Sequence, residues 1–320
     1  MIFNRLGSEG HRTFLQEAMA AYIDLPFLGG VLRDDRLGIP ERHLGLVTAE
    51  DGPLTTEQED LLATSIEAAV DVDGLLKRLP EIPAPSRATR TDRLKSSLPV
   101  RMGVARDNAF CFYYPDNLDL LAAAGVELIP FSPMNDAKLP KDLDGLYFGG
   151  GYPEVYAGRL ADNREMRASI RRCSQLGMPI YGECGGFMYL CRELEDTAGG
   201  VQPMCGCFPF RCTMHSGLRT LGYREVQLTA DTLLGELGQV LRGHEFHYSE
   251  LSDVSAADSV DTVYRVGSRA REHRSAEGYL IHQTLGSYIH LHLGSRPEAA
   301  RALADTCRLY RQTGGNGGRA

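Results

Sequence analysis

No apolar run in this 320-residue chain approaches the roughly 20 residues that a membrane-spanning helix needs, which excludes a helical membrane protein. The opening residues, Met1-Ile-Phe-Asn-Arg-Leu-Gly-Ser-Glu9, lack the basic start and apolar core of a secretory leader. A cytoplasmic chain is therefore expected, and the eight cysteines read as reduced thiols rather than a disulfide framework. Basic patches are missing as well: the net charge is -8 and no Lys/Arg cluster offsets it, which argues against nucleic acid as a partner. Tryptophan is absent, which excludes nothing about function. There is no internal repeat, and no G-x-x-x-x-G-K-[ST] run. The nucleotide-binding loop whose backbone N–H groups, lysine and hydroxyl cradle phosphates and Mg²⁺ is thus not written here. The hydrophobic share of 43% supports packed cores, and the length suffices for two domains.

Composition divides the chain into parts. Residues 1–79 carry helical patterns at Arg12–Tyr22 and Thr56–Val70. Residues 80–99, rich in Pro, Ser, Thr and Arg, read as a linker, and residues 314–320 as a flexible, Gly-rich tail. From 100 to 313, short apolar segments alternate with amphipathic ones. Arg101–Ala105, Val126–Phe131, Asp144–Phe148 and Pro179–Tyr181 read as strands; Asn117–Ala124 and Arg159–Leu176, closed by Gly125 and Gly177, read as helices. Strand, helix, strand in this order predicts an α/β fold with a mostly parallel sheet. Gly149–Gly151 and Cys184 then both fall beyond carboxyl ends of strands, where such sheets place their sites.

Cys184 lies in Tyr181-Gly-Glu-Cys-Gly-Gly186, between a short strand and a helical pattern (Phe187, Met188, Leu190, Leu194). Flanking glycines suit a tight turn that exposes a nucleophile, and a helix N-terminus just after it favours the thiolate. The plainer reading is a buried structural cysteine, a common fate of free thiols. A nucleophile needs a base and an oxyanion site. His290 and His292, in Ser287-Tyr-Ile-His-Leu-His292, alternate with apolar residues and share one face of a strand. Either is also readable as a satisfied core or surface histidine. Oxyanion donors are the backbone N–H of Gly185 with that of Gly150 or Gly151, although a glycine run after a strand is often only a turn.

Two other clusters stand out. Cys205-x-Cys207-x4-Cys212, followed by His215, does not have a common metal-ligand spacing, so inert packing thiols are expected and no metal site is assigned. Gly243-His-Glu-Phe-His247 on a strand projects His244 to one face and Glu245 and His247 to the other. These three residues either face substrate or form a buried polar network.

Gly149-Gly-Gly-Tyr-Pro-Glu154, Tyr181–Gly186 and Ser287–His292 together resemble the glutamine amidotransferase domain of the cobyrinic acid a,c-diamide synthase family. Asp107–Leu118, Leu221–Glu225 and Gly243–Ser249 are similar to further motifs of that family. Phe3–Ser8 and Leu37–Gly45 resemble the end of its ATP-dependent, dethiobiotin synthetase-like domain. The resemblance covers nearly the whole chain. It implies glutamine as ammonia donor, a tetrapyrrole (corrin) substrate, ATP and Mg²⁺ for activating the a and c acetate carboxylates, and no bound prosthetic group. By motif it makes Cys184 the nucleophile that forms a thioester and His290 its partner, with His292 as the alternative base; His244, Glu245 and His247 are candidates for the substrate side.

The family's phosphate loop has no counterpart here, so the ATP site is expected to be incomplete and residues 1–79 to be the C-terminal remnant of a P-loop-type domain. A fragment, and a short subunit completed by a separate ATP-binding chain or a homodimer, are both open readings. So are the sister substrates hydrogenobyrinic acid and nickel-sirohydrochlorin. A cysteine hydrolase or peptidase with the same turn, and a non-catalytic fragment, are the competing functions. The first predicts peptide or ester turnover with no preference for glutamine.

Overall fold

Glycine stops, proline starts and alternating apolar residues become the secondary structure of a computed structural model that describes residues 1–39, 41–42, 45–46, 52, 54–81, 99–252, 260–268 and 271–314. The expected linker lies almost wholly outside the described residues, as does the tail after Gly314. The chain divides into two units, Met1–Ala88 and Thr89–Ala320.

In the first unit β1 (Ile2–Leu6) and β2 (Gly29–Leu32) pair in parallel, and α1 (Glu9–Ala20) connects them. The Ser8 side chain caps α1 by accepting from the His11 N–H, which sets the start ahead of the expected Arg12. Strands β3 (Glu41–Arg42) and β4 (Gly45–Leu46) form a short antiparallel pair. Helix α2 (Thr56–Ala69) opens with a reciprocal Thr55–Gln58 capping box, and α3 (Val72–Arg78) follows. Leu6, Leu28, Val31 and Val70 are buried, while Phe14, Tyr22 and Leu25 stay exposed.

The second unit contains β5 (Val100–Ala105), α4 (Pro115–Ala123), β6 (Val126–Phe131), β7 (Gly145–Phe148), α5 (Ala157–Asp162), α6 (Arg164–Gln175), β8 (Ile180–Glu183) and α7 (Gly185–Leu190). It continues with β9 (Glu193–Glu195), β10 (Val201–Pro203), β11 (Arg211–Met214), β12 (Thr220–Leu228), β13 (Val240–His247) and β14 (Ser249–Ser252). Then come β15 (Asp261–Ser268), β16 (Arg271–Ile281), β17 (Thr284–Ser287), β18 (His290–His292) and α8 (Glu298–Gln312). Ten strands form one sheet in the order β18-β13-β12-β15-β16-β17-β8-β7-β5-β6. From β17 to β6 every pairing is parallel; from β18 to β17 every pairing is antiparallel. The α/β class is as expected, and the parallel part carries the turn at Cys184. A second sheet joins β10, β9, β11 and β14.

Neighbouring residues fall into different cores: Phe148 and Ile180 pack in one, Tyr147 and Tyr181 in the other, as the alternation of a strand requires. Strands β7 and β8 are buried throughout, so both faces of the central sheet are covered. Two boundaries differ from the sequence reading. The expected helix 159–176 is broken at Asn163, whose side chain accepts from the Met166 N–H and starts α6 anew. The helical pattern through Leu194 stops at Leu190, because the chain turns at Cys191 into β9 and Leu194 becomes a buried strand residue.

Candidate active site

Cys184 follows the last residue of β8 and caps α7 with φ +48° and ψ −107°. A non-glycine residue there costs roughly 1–3 kcal/mol and persists only where its surroundings impose it. The surroundings are Phe187, fully buried against Phe208, Tyr279 and Tyr288, and a backbone bond from the Cys184 N–H to the Ser287 carbonyl at 2.7 Å. Burying such a ring contributes roughly 1.5–3 kcal/mol, enough to offset the strain. The glycines after Cys184 leave room for close approach. A Cβ on Gly185 would sit 3.0 Å from the Gly151 nitrogen, and one on Gly186 would overlap the Phe148 carbonyl.

Gly149–Gly151 emerge from β7 beside this turn. A Cβ on Gly150 would overlap Cε1 of His290, so the imidazole rests directly on the glycine backbone. The same ring stacks on His244 (centroids 4.8 Å apart, planes 14° apart) and meets the Phe112 ring edge-on at 4.9 Å. Strand β13 runs past both groups: His244 is in register with His290, and the Phe246 carbonyl oxygen lies 4.0 Å from Cys184 Sγ. Gly185 thus lies against Gly151 and His290 against Gly150, while β13 passes both Cys184 and His290. Gly150 is a different matter. Its N–H donates to the Phe112 carbonyl at 3.1 Å and is therefore already engaged.

Burial decides the electrostatics. The Cys184 thiol, 5% exposed, is pushed up to about 12, first by burial and then by the charge of Glu154, with the Gly185 N–H pulling the other way. The rise from an ordinary 9 corresponds to about 4 kcal/mol against the thiolate, whereas a helix N-terminus returns only roughly 0.3–1. Burial thus works against the thiolate that the helix N-terminus favours. His290, equally buried, is pulled down to about 3 by burial and by His244 and His247, which favours its neutral imidazole. Nδ1 of His290 has no hydrogen-bond partner among the described residues.

His292 is 38% exposed at its side chain and reaches Asp116 at 3.4 Å and the Tyr114 ring. His244 shares a 2.7 Å hydrogen bond between its Nδ1 and the Tyr114 hydroxyl. Glu245 binds Arg224 at 2.6 Å, and His247 stacks on Tyr288 while its Nδ1 lies 2.8 Å from the Ser249 carbonyl oxygen. Each residue considered for the substrate side therefore has a protein partner. Cys205, Cys207 and Cys212 are buried, and among the described residues no three His, Cys, Asp or Glu groups gather to hold a metal.

Two buried carboxylates escaped the sequence reading. Glu183 accepts from the Tyr147 and Tyr181 hydroxyls and the Leu291 N–H. Glu277 accepts from the Ser287 hydroxyl at 2.6 Å and the Tyr288 N–H at 2.8 Å, fixing the segment between β17 and β18. A charged residue closing the apolar strand Ile180–Glu183 was the available signal for the first. The second needs the β16–β17 hairpin to bring it near.

Glu277 also makes a pH prediction. Burial raises it from 4.5 to about 7 against the hydrogen bonds that lower it. The folded state therefore favours the protonated form: that contribution is complete below about 4.5 and is lost as pH rises through about 7. Relative to wild type, Glu277→Gln should gain on the order of 3 kcal/mol between pH 4.5 and 8. Urea midpoints of both proteins at the two pH values check this, and a pH-independent gap between them would refute it.

Residues 101–298 match the CobB/CobQ-like glutamine amidotransferase domain. Over 308 residues the chain is 44% identical to the cobyrinate a,c-diamide synthase of Syntrophotalea carbinolica, covering 96% of this chain and 67% of the relative. The Salmonella typhimurium cobyrinate a,c-diamide synthase is 40% identical over 300 residues, covering 93% and 64%. The chain belongs to the cobyrinate a,c-diamide synthase family. It spans about two thirds of the length of these relatives. PurLQS from Thermotoga maritima superposes with a TM-score of 0.47 at 16% identity, over 67% of this chain and all of that one. For a cobyrinate a,c-diamide synthase family member, ATP and Mg²⁺ need a phosphate cradle and oxygen ligands. The sequence has no such loop, and the described residues offer no metal-holding cluster of three His, Cys, Asp or Glu, so these residues do not fit the nucleotide. Among the described residues no helix is long and apolar enough to cross a membrane.

Proposed function

We propose that this chain hydrolyses glutamine at Cys184 and delivers the ammonia to an amidation of the a and c acetate carboxylates of cobyrinic acid. One observation supports the reading above the others: the turn that carries a strained cysteine packs its Gly185 against Gly151, and a buried His290, held neutral by burial, rests on the adjacent Gly150.

The chemistry follows from the resting protonation. The thiol carries its proton until glutamine is in place; His290 then takes it as Sγ attacks the amide carbon. The tetrahedral oxyanion faces the N–H groups of Gly185 and Gly151, which cost no reorganisation because the backbone already holds them. The His290 cation gives its proton to the departing ammonia, leaving a glutamyl thioester. Water, deprotonated by His290, cleaves that thioester to glutamate and restores the thiol. A dry site raises the free energy of the separated ion pair, so the pair should form only in the course of the attack. The amidation itself requires ATP and Mg²⁺ in this family's chemistry.

The test is covalent. A diazoketone analogue of glutamine should label the protein once, at Cys184 by peptide mapping, and excess glutamine should protect it. A cysteine peptidase would instead turn over peptides or esters, and labelling spread over several cysteines without protection would refute the glutaminase.

A further inference from the structure

The strand that carries His290 lies at the end of the ten-stranded sheet and has β13 as its strand neighbour on one edge. Backbone groups on the other edge still need partners, since an unpaired buried N–H or C=O costs about as much as a lost hydrogen bond. Side chains provide them. The Leu291 N–H donates to Glu183 Oε1 at 3.0 Å; the Leu291 carbonyl accepts from Asn117 Nδ2, and the Leu293 N–H donates to Asn117 Oδ1, both at 2.7 Å. Leu291 separates His290 from His292, and Glu183 immediately precedes Cys184. The carboxylate is 1% exposed and also accepts from Tyr181 at 2.6 Å on its own strand and from Tyr147 at 2.9 Å on the neighbouring β7, so its position is fixed from both. A salt bridge plays no part: the three groups around it are neutral donors.

We propose that Glu183 is a positioning residue for the glutaminase chemistry, one buried carboxylate that ties the turn bearing Cys184 to the strand bearing His290 and so sets how thiol and imidazole face each other. This rests on the function proposed above and adds a residue to it. The geometry explains why a costly charge-bearing group is kept in a dry core. A hydrocarbon of the same size would leave one strand amide and two tyrosine hydroxyls without acceptors. Asn117 secures the neighbouring stretch of the strand to α4, and Glu183 is the link to the nucleophile's own strand. The titratable groups acting on His290 are His244 and His247 on β13; Tyr114 at the start of α4 bonds His244, and Glu183 on β8 bonds the Leu291 N–H next to His290.

Glu183→Gln and Glu183→Ala separate positioning from bulk structure. Glutamine keeps an acceptor oxygen for the Leu291 N–H; alanine keeps none. In the full chain, Glu183→Ala should lower kcat for glutamine hydrolysis by roughly 10²-fold, the scale of an ångström-sized misplacement, with KM within about threefold. Glu183→Gln should stay within about fivefold of wild type. The second readout is the rate of Cys184 alkylation by iodoacetamide against pH, mapped to its peptide. Wild type should show a dependence around pH 7, where burial places the Glu183 carboxyl, and in Glu183→Gln it should vanish. Equal kcat values for wild type and both variants, or an alkylation profile unchanged by either, would overturn the proposal. If Glu183→Ala does not fold, the Glu183→Gln alkylation profile alone decides. Absence of glutamine turnover in wild type would sink the glutaminase reading instead, and the alkylation profiles would still judge Glu183.

Discussion

Cys184→Ala is expected to abolish glutamate release from glutamine, with a loss on the order of 10⁴-fold or more. Alanine inherits the backbone strain at φ +48° that cysteine already bears, so the exchange adds none. It removes one sulfur from a buried position, a cavity cost of about 1 kcal/mol by the scale of single-group deletions. The turn is held by Phe187 and by the bond to the Ser287 carbonyl, neither of which involves the thiol. The fold should therefore survive and only the chemistry fail. Amidation driven by added ammonia, measured with the ATP-dependent partner activity present, should be unchanged, because that route bypasses the thioester. Glutaminase activity persisting in this variant would refute the nucleophile assignment outright.

His290→Ala should lower glutamine hydrolysis by roughly 10²–10⁴-fold, the usual worth of a general base. The contrast with His292 gives the prediction its edge. His290 is 5% exposed, rests on Gly150 and is in register with His244, whereas His292 has a half-open ring beside Asp116. His292→Ala should cost no more than a few-fold, by the ordinary scale of surface substitutions. Steady-state kcat and KM for both variants check the pair of expectations. If His292→Ala is the more damaging change, the roles of the two histidines are reversed.

Much of the parallel layer was legible before any coordinates. Val126–Phe131 is a strand with the expected bounds, and Gly125 and Gly177 adopt φ +85° and +77° just after the helices they were expected to close. Local rules suffice there, because glycine punctuation and apolar runs act within a few residues. The misses share a cause. Asn163 divides a helix because its side chain competes for the Met166 N–H, a local signal hidden inside a strong amphipathic pattern. Leu194 belongs to a strand because the chain turns after Leu190, which periodicity alone does not reveal.

The sequence by itself determined the family, the α/β class, and the turn chemistry that puts Cys184 between glycines. These depend on residue types in short windows, and the motifs carry them. Tertiary structure alone decided that the Gly150 N–H is already engaged, because a bridge from Phe112, far along the chain, takes it. It also supplied the burial that raises the Cys184 thiol. A helix N-terminus after Cys184 is visible in sequence and favours the thiolate, but burial outweighs it several-fold, and burial is a property of everything folded around the residue. The link from Glu183 to Leu291 spans 108 positions, and only the closing of the sheet brings its two ends within 3.0 Å.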